Sequence, residues 1–262
     1  MSNFKYIAFE EAQGVATITL NRPEAANALI VEMARELMLA ANACDESPTI
    51  RAVILTGAGK FFCAGGDVQS FADAGDKVGE LAKEITAYLH AAVSRFARMN
   101  APLIVAVNGA AAGAGFSMAI AGDLVLSAES AKFTVAYTGI GASPDGSSSY
   151  FLPRIVGLRR AQELMLTNRR LSSAEALDWG LVTRVVADET LMAEAEKLAS
   201  QMAAGPRRSH GVVKQLLAST FNESLETQME LESRGIAASL SNSDGQEGIA
   251  AFVGKRKPQF TL

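Results

Sequence analysis

Two uninterrupted apolar runs, "AVILTG" at residues 52–57 and "LIVAV" at residues 103–107, constrain this chain more than any other feature. Neither run alternates with polar residues, so each reads as a strand covered on both faces, the pattern of a parallel sheet lying between layers of helix. A third run, "GDLVLSAE", continues the alternation of strand and helix that marks an α/β fold. Upstream, "YIAFEEAQGVATITLNRP" alternates on both sides of the turn "EAQG" and predicts a β-hairpin. "EAANALIVEMARELMLAANACDES" then repeats Leu29, Met33 and Leu37 at helical spacing up to Pro48, and a further helix is expected around residues 79–99. "AKFTVAYTGIGASPDG" predicts a short strand running into a loop. Beyond about residue 150 helical patterns dominate, apart from the short strand "VTRVV". The expected organisation is an α/β core over residues 1–200 and a helical C-terminal lobe over residues 201–262.

Charge and cysteine usage narrow the function classes. Twenty-four basic residues against 28 acidic ones give a net charge of −4, so no overall field attracts nucleic acid or an anionic membrane. Any anionic ligand must be met by a local patch. Cys44 and Cys63 cannot build a disulfide framework, and two histidines, His90 and His210, supply no metal-spaced ligand set, so a reduced, cytoplasmic protein without a metal is expected. Lys5, Glu10 and Glu11 interrupt the N-terminal apolar residues, which argues against a signal peptide or membrane span.

Two loops of small residues carry the chemistry. "NGAAAGAG", with Gly109, Gly113 and Gly115, follows the strand "LIVAV". A dinucleotide fingerprint belongs in the first βα unit and is accompanied in short-chain reductases by a Tyr-x-x-x-Lys pair, which this chain lacks. Amides at a loop-to-helix junction have no intrahelical partner and sit at a positive dipole end, so they suit an anionic oxygen. The strand "AVILTG" runs into a second such loop, "AGKFFCAGGDVQSF", and two N–H groups aimed at one point make an oxyanion hole. Asp67 beside Gly66 has the ordinary character of a helix-cap residue. Asp145, in "SPDGSSSYFLPR", has the ordinary character of a turn residue between Pro144 and Gly146, and the three serines after it have no local histidine to form a triad.

"FFCAGGDV", "VNGAAAGAGFSMAIAGD", "AYTGIGASPDG", "ALDWGLVTRVV" and "EGIAAFVGKRKPQF" together resemble the crotonase, or enoyl-CoA hydratase/isomerase, superfamily across essentially the whole chain. The resemblance implies an α/β ββα spiral core with a helical C-terminal trimerisation lobe, acting on acyl-CoA thioesters through their enolates, as a homotrimer or dimer of trimers. No cofactor is implied beyond the coenzyme A of the substrate. By matched position the oxyanion amides are those of Gly66 and Ala114. The CoA moiety runs along Ala25 and Ala26 and along Ala64 to Gln69, including Asp67 and Val68, with Phe252 and Lys255 near the nucleotide end. Glu24 stands where relatives often carry a basic residue, leaving Arg22 and Lys255 as phosphate contacts.

Hydratases of this family use two glutamates, and the matching positions here are Ser117 and Tyr137. Holding and deprotonating a water needs acid/base groups that neither residue provides. The matched position for a single carboxylate, as in several enoyl-CoA isomerases and ring-isomerising relatives, is Asp145, with Tyr137 and Phe151 as apolar wall. One carboxylate suffices to move a double bond. Three alternatives follow from the same residues: hydratase-type activity; a 4-chlorobenzoyl-CoA dehalogenase-like hydrolase with Asp145 as nucleophile and His90 as base; and a non-catalytic acyl-CoA-binding scaffold. Against the dehalogenase, its aromatic cradle is replaced by Leu89, Tyr137 and Gly66.

Overall fold

The computed structural model describes residues 4–260. Strands β1 (Ile7–Ala12) and β2 (Val15–Leu20) form the expected hairpin. Its loop is two residues long, with Gln13 at φ 52° and Gly14 at φ 80°, the backbone that matches the twist of the flanking strands. Helix α1 (Val31–Glu46) leads to β3 (Ala52–Gly57), all six residues of which are buried. The chain then repeats one unit: a buried strand, a three-residue strand in another sheet, and a helix. The first unit is β3, β4 (Phe61–Cys63), α2 (Val68–Ala74) and α3 (Val78–Arg98). The second is β5 (Leu103–Val107), β6 (Ala110–Ala112) and α4 (Ala114–Ile120). The third is β7 (Leu124–Ala128), β8 (Lys132–Thr134), α5 (Ser148–Val156) and α6 (Leu158–Thr167). Then come β9 (Leu171–Ser172), α7 (Ser173–Asp178), β10 (Arg184–Val186) and α8 (Leu191–Ala203).

The larger sheet has the order β1-β2-β3-β5-β7-β10 and is parallel from β2 onward, as continuous apolar runs require. The smaller has the order β4-β6-β8-β9. Ile18, Leu20, Ile54, Leu55, Ile104 and Val105 are almost fully buried, each contributing about 1.5–3 kcal/mol relative to exposure. The smaller sheet was not foreseen: "FFC" and "AAA" read as loop, because three residues are too few to show any period.

Helix α1 starts seven residues later than the apolar repeat around Glu24 suggested. Ala26 and Asn27 take left-handed φ values of 51° and 54°. Asn27, fully buried, accepts the Arg22 amide and donates to the Ala58 and Phe61 carbonyls at 2.9 and 2.8 Å. A side chain that satisfies three backbone groups outweighs about two more turns of helix.

Three more helices complete the chain: α9 (Arg207–Ser219), α10 (Leu225–Ser241) and α11 (Ser243–Val253). Helix α9 is tied to the core by Lys214, whose ammonium reaches Asp123 at 2.7 Å and the Phe96 and Ala101 carbonyls at 2.8 and 3.0 Å. On the last two helices Leu225, Met229, Ile236, Phe252 and Val253 are exposed. Among the described residues no helix is long and apolar enough to cross a membrane.

Candidate active site

The loops leaving β4 and β6 meet backbone to backbone. Gly65, at φ 99°, approaches the second loop so closely that a Cβ on it would lie 3.0 Å from the Ala112 carbonyl oxygen. Gly115 lets the first turn of α4 press onto β4, since a Cβ there would fall 2.2 Å from the Cys63 carbonyl oxygen. These contacts explain why both loops are built from small residues.

Each loop leaves one amide unspent. In the bridge between Leu29 and Gly66, Leu29 donates to the Gly65 carbonyl at 2.7 Å and Asp67 donates to the Leu29 carbonyl at 2.9 Å. The Gly66 amide lies between them and donates to no group among the described residues. Ala114 is the first residue of α4, so its amide has no carbonyl one turn back to bond. Gly66 and Ala114 line one cavity of about 550 Å³, together with Ala64, Val68, Phe71, Leu89, Tyr137 and Asp145. Sequence reasoning passed over Phe71, whose ring closes over Gly66, so close that a Cβ on Gly66 would fall 2.7 Å from it.

Asp145 is held from three directions. Its carbonyl oxygen accepts the Ser148 amide and hydroxyl at 3.1 and 3.0 Å, and Ser117 Oγ lies 2.9 Å away. Its carboxylate oxygen Oδ1 accepts a hydrogen bond from Tyr137 Oη at 2.5 Å. The next amide, Gly146 N–H, donates to His90 Nε2 at 3.1 Å. That bond requires Nε2 to be unprotonated, which places the ring proton of neutral His90 on Nδ1. Tyr137 is therefore more than apolar wall. Burial, then the charge of Asp145 and its hydrogen bond, push the Tyr137 phenol well above its ordinary value, so it stays a donor.

The other expected residues are placed as follows. Asp67 caps α2 by accepting the Ser70 amide at 3.0 Å and pairs with Arg22 at 3.0 Å. Burial raises its pKa, but the Ser70 amide and Arg22 outweigh that and hold it below the ordinary carboxylate value. Arg22 is engaged by Asp67 and by the Ala28 carbonyl, so the guanidinium expected at a phosphate is built into the loop instead. Gln69 is exposed and donates to Asp73 at 2.8 Å. Ala25 and Ala26 sit in a one-turn 3-10 segment and its cap, and the Ala26 carbonyl accepts the Ala64 amide at 3.0 Å. That bond joins the two stretches expected along one ligand. Phe252, 87% exposed, and Lys255 do not line the cavity; Phe252 borders a separate depression with Pro206, Leu240 and Phe260. His90 and Phe151 line a second, larger cavity on the far side of the Asp145 turn. Helix α5 turns Phe151 away from the wall where the sequence put it.

Both cysteines are buried and free, and burial pushes each thiol up to about 12, so neither is a ready nucleophile at neutral pH. A half-buried carboxylate beside two unpaired amides can remove a proton next to a carbonyl and stabilise the resulting charge.

Known proteins resemble this chain in sequence and in fold. The chain is 39% identical, over 98% of each chain, to 1,2-epoxyphenylacetyl-CoA isomerase of Escherichia coli K12. It is 35% identical, over 98% of its length and 94% of the relative, to 4-chlorobenzoyl coenzyme A dehalogenase-2 of an Arthrobacter species. Its structure superposes on the crystal structure of an enoyl-CoA hydratase from Polaromonas sp. JS666 with a TM-score of 0.93 at 36% identity, covering 97% of this chain and 99% of the other. The sequence profile of the enoyl-CoA hydratase/isomerase family matches residues 10–262. The chain belongs to the enoyl-CoA hydratase/isomerase family, within the crotonase superfamily.

Proposed function

We propose that this enzyme is an acyl-CoA isomerase that shifts a C=C bond from the 3- to the 2-position of an enoyl-CoA or of a ring-derived analogue. One observation carries the reading: Asp145 is the single carboxylate among the residues lining the cavity that Gly66 and Ala114 also line. The thioester oxygen rests against the Gly66 and Ala114 amides. Asp145 takes a proton from the α-carbon, the C–H electron pair moves into the C–C bond, and the thioester oxygen becomes the enolate oxygen. The electrons then return through the conjugated system to the γ-carbon, which receives the proton from Asp145. No atom is gained or lost, and one base performs both halves.

The hydroxyls of Ser117 and Tyr137, joined at 2.9 Å, leave Asp145 without a second carboxylate to activate a water, which favours isomerisation over hydration. His90 opens onto the other cavity and is bonded to Gly146, which disfavours its use as a hydrolytic base. The similarity to the E. coli isomerase supports a ring-derived acyl group as one substrate class. We also propose that the exposed apolar residues of α10 and α11 are covered in a homotrimer or dimer of trimers, with Phe252 and Lys255 approaching the CoA of a neighbouring copy.

The test compares a 3-enoyl-CoA with crotonyl-CoA in one preparation of the wild-type chain and of Asp145→Ala. Conversion to the conjugated thioester, followed by its absorbance and absent in Asp145→Ala, is the expected result. Robust hydration of crotonyl-CoA that survives Asp145→Ala would sink the proposal, and chloride release from 4-chlorobenzoyl-CoA that depends on His90 would replace it with the dehalogenase.

A further inference from the structure

The two oxygens of the Asp145 carboxylate have different surroundings. Oδ1 accepts the Tyr137 hydroxyl at 2.5 Å, the one hydrogen bond to this carboxylate among the described residues, which leaves Oδ2 without one. Tyr137 reaches this position from a 3-10 turn at residues 137–140, entered through Ala136 at φ 62°, a left-handed conformation that alanine rarely adopts. On its other side the phenol oxygen lies 2.9 Å from Ser117 Oγ, a fully buried group within reach only of the Asp145 and Gly113 carbonyls besides. The hydrogen-bond chain thus runs from Oδ1 through Tyr137 and stops at Ser117, beyond which only backbone carbonyls, which carry no proton, lie within reach. A chain that passes protons needs a proton donor or solvent at its far end, and this one has neither.

We infer that Tyr137 is a positioning residue whose hydroxyl ties down Oδ1 of Asp145, so that Oδ2 alone faces the cavity and keeps the substrate's own proton between its removal and its return. The inference rests on the isomerase reading. Holding a carboxylate in one rotamer while leaving one oxygen bare fixes the angle at which the base meets both carbons, and it leaves the phenol no path by which to bleed the proton to solvent. The raised pKa of Tyr137 is consistent with a hydroxyl that donates without dissociating. With the Tyr137 proton on Oδ1, the single proton of Ser117 is left to steady the phenol oxygen.

The experiment runs the isomerisation of a 3-enoyl-CoA in D2O with the wild-type chain, Tyr137→Phe and Ser117→Ala, measuring kcat, KM and deuterium at the γ-carbon. Wild-type product is expected to retain mostly substrate-derived hydrogen. Tyr137→Phe is expected to lose about 10- to 100-fold in kcat with KM changed less than about threefold, and to incorporate more deuterium. Ser117→Ala is expected to show the same split at smaller size. A Tyr137→Phe enzyme with unchanged kcat, one whose KM rises as much as kcat falls, or wild-type product fully labelled from solvent would each overturn the inference. If the wild-type chain converts no 3-enoyl-CoA, the isomerase reading fails instead. Crystal structures of the two forms then decide the positioning role: an Asp145 carboxylate that turns once the hydroxyl is gone upholds it, and one that keeps its orientation rejects it.

Discussion

Two cavities meet at the turn that carries Asp145, and the larger is not the one proposed to hold the chemistry. The space of about 1110 Å³ beyond the turn is lined by His90, Arg154, His210 and Lys214, a more heavily charged set than the 550 Å³ cavity can show. Apart from His210, whose Nδ1 is buried without a hydrogen-bond partner among the described residues, these four groups are already engaged. The three donors of Lys214 meet Asp123 and two carbonyls, His90 Nε2 accepts Gly146, and Arg154 lies over the Tyr150 ring at 3.6 Å. The smaller cavity keeps two unpaired amides and one bare carboxylate oxygen. The difference teaches that a reactive site is marked by hydrogen-bonding capacity left over after folding, and neither volume nor a count of charges reports that.

Paired substitutions on the two sides can break this contrast. The largest effect is expected on the small side: Asp145→Ala lowers kcat by about 10²- to 10⁴-fold, whereas His90→Ala, which removes one acceptor from the Gly146 amide, costs less than about tenfold. Comparable losses in steady-state kinetics would mean that both sides take part in the reaction. Next, Ala114→Pro deletes one oxyanion donor at the first helical position, where proline is tolerated, and is expected to cost about 10²- to 10³-fold in kcat with little change in Tm. An enzyme with normal kcat would show that this amide is idle.

On the large side the expected losses are in stability. Lys214→Met strands the Asp123 carboxylate, and because that group is a quarter exposed the cost is put at the lower end for a broken buried pair, about 3 kcal/mol, read by denaturant melts. Its kcat at temperatures where it is folded is expected to match the wild type, and a kcat loss as large as that of Ala114→Pro would erase the distinction between the cavities. The smallest effect concerns His210. Burial, then the nearby Arg51 charge, holds its pKa below the ordinary 6.5. With a depressed folded value, the unfolded chain takes up the proton first as pH falls. The stability present above pH 6.5 is therefore lost on acidification, and Tm is expected to decline between about pH 7.5 and pH 5.5. His210→Gln is expected to flatten part of that decline, and identical slopes for the two proteins would assign it to other groups.

Much of the fold was legible because burial on both faces leaves a written trace. β3 and β5 are apolar at nearly every position, and the hairpin carries its own turn residues. Of the four strands of the smaller sheet only β8, within "AKFTV", was expected; β4, β6 and β9 left no trace, being two or three residues long. The start of α1 was misplaced because Asn27 acts through contacts with residues 58 and 61, which no local pattern encodes. In the site, small residues announced both donor loops, but Asp145 resembled any aspartate between proline and glycine. Arg22 looked like a free cation and proved to be the partner of Asp67.

Residue order alone was enough for a parallel α/β core, two glycine-rich loops after core strands, and a single carboxylate at the matched position, since periodicity, chain flexibility and family pattern are properties of a linear string. Folding decided which groups remained unpaired. The Gly66 and Ala114 amides, Oδ2 of Asp145 and the inward hydroxyl of Tyr137 take their character from parts of the chain distant in sequence, such as Leu29 beside Gly66 and Gly66 lining one cavity with Asp145. Hydrogen-bonding capacity is a property of the surroundings, and those exist only once the chain has closed on itself.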